Sequence, residues 1–152
     1  MPTSLEAAAW EVLDVIPLVM RTVRAEMRRH RAPGLSVPHF RVLAYLGSNA
    51  GASLSEVAEH VGLQLPSMST LIEGLVTRGF VTRAPSAADR RRVTLNLTPT
   101  GQATLANARQ NSQAKLAERL AALTPAQQAD IVQAMQALRE AFAPEPEPGP
   151  SA

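Results

Sequence analysis

Cysteine is absent from the 152-residue chain, which excludes disulfides, thiolate metal sites, cysteine nucleophiles and thiol redox sensing. Aromatic residues are nearly absent too. Trp10, Phe40, Tyr45, Phe80 and Phe142 are too few and too scattered to build the stacking platform on which single-stranded nucleic acids are held. No apolar run approaches the roughly 18 residues that a membrane-spanning helix needs. Glu6, Glu11 and Asp14 stand where a secretory signal requires positive charge and an apolar stretch. A soluble, cytoplasmic protein is expected, with no membrane partner. His30, His39 and His60 lack ligand spacing, so no metal site is expected. Neither a nucleophile elbow nor a paired-carboxylate site is present. No catalytic residue, no cofactor and no enzymatic activity are therefore expected.

What is present is enough apolar material, 45% of residues, to bury a core. One compact unit is expected from this length, with a lengthwise split into two lobes as the alternative. The charge is unevenly placed. Between Arg78 and Arg92 there are five arginines and one aspartate, a local +4 in a chain of formal net charge +2. Everything outside that window is therefore net negative. No lysine or arginine occurs between Arg41 and Arg78. Distribution, not total charge, carries the information.

Periodicity predicts a mainly α chain with one small β-hairpin. Leu5, Ala8, Val12, Ile16, Val19, Val23 and Met27 recur at helical spacing to about Arg31. Pro17 should bend that helix by removing a donor and crowding the Leu13 carbonyl; two helices with a break are the alternative. Pro33-Gly34 stops the segment, and Ser36 can cap a second helix through Ser48. Ser53-Leu54-Ser55-Glu56 is a capping box that starts a short third helix, which Gly62 ends. Gln64 to Thr77 forms a fourth, with Met68, Leu71, Ile72, Leu75 and Val76 on one side and small polar residues on the other. Val81–Ala84 and Val93–Leu97 read as strands around the loop Pro85-Ser86-Ala87-Ala88-Asp89-Arg90-Arg91-Arg92. Two helices follow, from Thr98-Pro99 and from a second capping box at Thr124-Pro125-Ala126-Gln127. They are too long to be satisfied by a small hairpin lobe and need another surface. The Pro/Glu-rich residues 144–152 should be an extended, solvated tail.

This order of elements is that of a winged helix-turn-helix, and it resembles the MarR family of bacterial regulators from Leu5 to Phe142. The resemblance is carried by Leu75 through Gly79-Phe80-Val81, by Asp89-Arg90-Arg91 followed by Val93, and by Leu97-Thr98 with Gly101. It implies four segments: a dimerisation helix over 1–35, a DNA-binding lobe over 36–98, further dimerisation helices over 99–143, and the flexible tail over 144–152. It also implies a homodimeric regulator, in its usual form a repressor, with duplex DNA as partner and a small lipophilic or aromatic effector that releases it. The fourth helix would then be the recognition helix and Asp89 to Arg91 the wing tip.

General physics points the same way, because a helix of about 14 residues fits a major groove and twofold dimers read half-sites roughly 34–36 Å apart. The expected DNA-contacting residues are Gln64, Ser67, Ser69, Thr70, Thr77, Arg78, Arg83, Asp89, Arg90 and Arg91. Arg91 is the residue expected to enter the minor groove, where a weakly hydrated guanidinium is favoured. Asp89 holds the loop or serves as a plain turn residue. Many relatives carry an arginine where this chain has Thr70, so sequence preference should be loose and shape readout heavier. A solvated charge run at Arg90–Arg92 and an ordinary polar helix face at Ser67, Ser69 and Thr70 are the plainer alternatives. A second cluster, Arg21, Arg24, Arg28, Arg29 and Arg31 opposed by Glu26, either contacts phosphate or complements a helix dipole. Trp10, Met20, Val23, Met27, His39 and Phe40 are candidates to line an effector site between the terminal helices and the winged lobe, or are simply core. A winged-helix module that binds protein instead of DNA is the rival reading.

Overall fold

The computed structural model describes residues 4–30 and 34–143. Arg31, Pro33 and the 144–152 tail lie outside the described residues. Among the described residues, six helices and one hairpin follow in the expected order: α1 (Leu5–His30), α2 (Val37–Ser48), α3 (Leu54–Val61), α4 (Leu65–Thr77), β1 (Val81–Pro85), β2 (Val93–Leu97), α5 (Pro99–Leu120) and α6 (Pro125–Ala141). α1 runs unbroken through Pro17, so the two-helix alternative is not what forms. The chain divides into two compact units between Leu116 and Ala117, inside α5, instead of the single unit expected. The physical reason is visible in burial. The last buried residue of α5 is Leu105, and α6 buries none.

The first unit is built around α4. Met68, Ile72 and Leu75 are fully buried on its inner face, against a core that includes Val42 and Leu43 of α2 and Val57 of α3. Each such aliphatic side chain contributes roughly 1.5–3 kcal/mol when removed from water. α3 is held at its start by the expected reciprocal cap, Glu56 N–H to Ser53 Oγ at 3.2 Å and Ser53 N–H to Glu56 Oε2 at 2.8 Å. It ends at Gly62, in the left-handed conformation at φ 79°. β1 and β2 pair antiparallel with Val81 opposite Leu97 and Pro85 opposite Val93. β2 is also tied on its other edge to the α2–α3 connection, through Gly51 N–H to Leu95 O and Leu95 N–H to Ala52 O. That third rung anchors the hairpin base to the helical core.

The cap of α2 differs from expectation. Ser36 is the N-cap, but the group that satisfies its backbone N–H is the His39 imidazole, with Nδ1 accepting at 2.9 Å. Nδ1 also lies 2.7 Å from the Ser36 hydroxyl. Burial, and secondarily the Arg78 charge, lower the His39 pKa below its ordinary 6.5. α5 begins where Thr98 Oγ1 accepts from the Gly101 N–H at 3.0 Å and donates to the Gly79 carbonyl. Gly101 is buried, and a Cβ there would overlap the Phe80 carbonyl oxygen. Only glycine permits this approach of α5 to the start of β1.

The second unit holds α6, started by the second capping box, Gln127 N–H to Thr124 Oγ1 and Thr124 N–H to Gln127 Oε1. Gln128 Nε2 donates to the Leu120 and Leu123 carbonyls and closes the turn before it. Val132, Met135 and Phe142 are exposed.

Two outcomes are expected from this geometry. Gly101→Ala should lower unfolding stability by about 1–3 kcal/mol, read as a shift of the urea midpoint, because backbone must move to admit the methyl group. The His39 imidazole, with its pKa depressed in the folded state, contributes stability that is complete above the unfolded value near 6.5 and is lost as pH falls through the lower folded value. His39→Gln keeps an acceptor for Ser36 and should flatten the fall in thermal midpoint between about pH 7 and pH 5 relative to the parent; an identical pH profile in both would contradict the assignment.

Candidate nucleic-acid interface

The face of α4 opposite Met68, Ile72 and Leu75 is open to solvent. Ser67, Thr70 and Thr77 are exposed on it, Gln64 is the exposed N-cap residue, and Ser69 is half-buried on its flank. The Thr70 hydroxyl donates to the Pro66 carbonyl at 3.2 Å, which leaves its lone pairs free to accept. Glu73, which sequence reasoning passed over, is also exposed on this face, one turn beyond Thr70. The signal was available in the spacing of three from Thr70 and four to Thr77. Gly74 lies beside it, and a Cβ there would meet nothing within 4 Å. Internal packing therefore does not require that glycine.

The hairpin flanks α4. Ser69 and Ile72 share a cavity of about 170 Å³ with Leu54, Arg83, Val93 and Leu95. Arg83 is exposed on β1 across from Leu95. Beyond the strands, the loop is closed by Ser86 N–H to Arg92 O at 2.8 Å and Arg92 N–H to Asp89 O at 3.0 Å. The Asp89 carboxylate accepts from the Arg91 backbone N–H at 3.0 Å, so it holds the turn through the main chain. Arg90, Arg91 and Arg92 are all exposed, and among the described residues none gives their guanidinium groups a hydrogen bond or ion pair. Three adjacent cations thus stand at a loop tip with nothing in the described chain to neutralise them.

Arg78 is placed differently. Its Nη1 donates to the Gly34 carbonyl at 2.9 Å, and its guanidinium lies 5.3 Å from the centre of the Phe80 ring. It ties the end of α4 to the segment before α2, a structural use that spacing alone could not reveal across 44 residues. In the α1 cluster, Glu26 is buried and pairs with Arg29 at 3.7 Å and His30 at 3.2 Å. Arg21, Arg24 and Arg28 are exposed. His60 stacks on Tyr45 with ring centres 4.5 Å apart.

The six residues considered for an effector site differ in burial and use. Phe40 is core, Met27 packs against that core, His39 caps α2, Val23 is half-buried, and Trp10 and Met20 are exposed on α1. A groove of about 490 Å³ lies elsewhere, between the end of α2, β2 and α5. It is lined by Leu46, Gly47, Leu97 and Leu105, with Gln102 and Arg109 among its polar groups.

The sequence model of the MarR family matches residues 34–92, which span α2 to the wing tip. The HTH-type transcriptional repressor Rv2887 of Mycobacterium tuberculosis is 31% identical over 117 residues, covering 76% of this chain and 84% of the relative. The structure of that MarR family protein in complex with p-aminosalicylic acid superposes with a TM-score of 0.65 at 27% identity, covering 86% of this chain and 96% of the other. The transcriptional repressor CouR bound to a 23-mer DNA duplex is similar at a TM-score of 0.60 and 27% identity, covering 89% and 91% of the two chains. Fold, wing and sequence agree, and the chain belongs to the MarR family of helix-turn-helix transcriptional regulators.

Proposed function

We propose that this chain is a sequence-specific, double-stranded-DNA-binding transcriptional regulator that acts as a homodimeric repressor at a near-palindromic promoter site in the cytoplasm, and that it is not an enzyme. The observation that carries this reading is the pairing of an open, cation-free α4 face with three unpaired arginines at the adjoining wing. The α4 residues Gln64, Ser67, Ser69, Thr70 and Thr77 would contact base edges in the major groove. Hydroxyls are permissive readers, and Gln64 favours adenine. Arg83, Arg90 and Arg91 would supply phosphate and minor-groove contacts, with Asp89 setting the loop and Arg78 bracing α4 from behind. Dimerisation is supported by exposed apolar residues that a lone protomer leaves in water, among them Leu5, Trp10, Leu13 and Leu18 on α1 and Met135 and Phe142 in the second unit. Repression is supported by the likeness to Rv2887 and CouR, both transcriptional repressors.

An effector is supported by the p-aminosalicylic acid complex of Rv2887. In this chain the α2–β2–α5 groove suits a small aromatic carboxylate, since its floor is aliphatic and Arg109 offers a cation. Such a ligand changes occupancy of DNA only if it binds the two conformations of the regulator unequally.

The rival, a winged-helix module that docks protein, draws on one observation: α4 carries no cation. Salt separates the two. For the DNA reading, affinity for a selected duplex should fall by orders of magnitude between about 50 and 200 mM salt as counterions are released. Arg91→Ala should weaken binding to every duplex variant and reduce the salt slope by about one. Absent or salt-independent duplex binding in dilute buffer would overturn the proposal in favour of the protein-docking module. An unchanged slope for Arg91→Ala would remove the wing from the interface.

A further inference from the structure

Glu73 is the only charged residue between Leu65 and Thr77. It stands on the exposed stripe formed by Pro66, Thr70, Glu73 and Thr77, and among the described residues it has no hydrogen bond or ion pair. A carboxylate on a groove-facing helix has few tolerable neighbours. Against phosphate it is repelled, and no cation on α4 can offset that repulsion. Against base edges it meets acceptors on guanine (N7, O6) and thymine (O4), and on adenine a donor with the N7 acceptor beside it. The cytosine N4 amino group is the major-groove donor that suits it. Gly74, with open space where a side chain would be, lets the helix backbone beside Glu73 come close to the groove floor, so the short reach of Glu73 suffices.

We propose that Glu73 is a specificity-determining residue: it accepts a hydrogen bond from the N4 amino group of one cytosine in each half-site. This rests on α4 being the groove-reading helix. It gives an otherwise permissive face of hydroxyls one discriminating contact.

The test uses the full chain and duplexes selected by it from a random pool, followed by a panel in which each half-site base pair is replaced in turn. The parent should show one cytosine whose replacement lowers affinity about tenfold. Glu73→Ala should lose discrimination at that position alone, and Glu73→Gln should shift preference there toward adenine, which an amide pairs with through N6 and N7. Both substitutions lie on the surface, and unchanged thermal midpoints verify that they fold. If the parent and both variants bind duplex with the same base profile, the Glu73 assignment fails while the DNA reading stands. If the parent binds no duplex, both fall together.

Discussion

The burial of one face of α4 is the constraint on which the rest depends. Met68, Ile72 and Leu75 are withdrawn from water completely, against residues of α2 and α3. Because helical side chains repeat at 3.6 residues, anchoring that face dictates which residues point the other way. The outward set cannot be altered by rotation without exposing the core. The hairpin is registered to the same lobe by β2, whose buried Leu95 exchanges backbone hydrogen bonds with the α2–α3 connection and stands opposite Arg83 of β1. Helix and wing are thus parts of one compact unit.

Under the proposed function, recognition and attraction fall to different parts of that lobe. The wing tip concentrates cationic groups that the described chain leaves unpaired, and long-range attraction to a polyanion needs little more. α4 contributes almost no charge, and the one charge it has is negative. A helix of this kind adds little to non-specific affinity, so differences between base sequences are not swamped by attraction common to all duplexes. Holding Arg78 against the Gly34 carbonyl and the Phe80 ring keeps the nearest cation at the end of α4 in a bracing role. Asp89 acts in the same spirit at the tip, shaping the turn through the Arg91 main chain.

Most of the fold was legible because it is written in local chemistry. The capping boxes at Ser53–Glu56 and Thr124–Gln127 place two helix starts within one motif each, and alternation along Val93–Leu97 marks the strand. What escaped depends on groups brought together by folding or on unusual chemistry in a familiar place. His39 serves at a position where Glu or Gln is the recognised cap. Arg78 was counted with the wing cations, and its partner lies on another segment. The division inside α5 also escaped, because it reflects how far the lobe's core extends along that helix. Glu73 was readable from its spacing to Thr70 and Thr77, but it is a lone carboxylate outside the cluster of positive charge.

The apolar side chains exposed along α1 and in the second unit give the protomer an incomplete surface, and a twofold partner would set the distance between two copies of α4. Hydroxyl-radical footprinting on a selected duplex tests this most directly. Two protected regions related by a dyad, centred about 34–36 Å apart or a multiple of that and each flanked by minor-groove protection, are predicted. A single protected region, or protection without flanking minor-groove signal, would contradict the account of paired helices and cationic wings acting together.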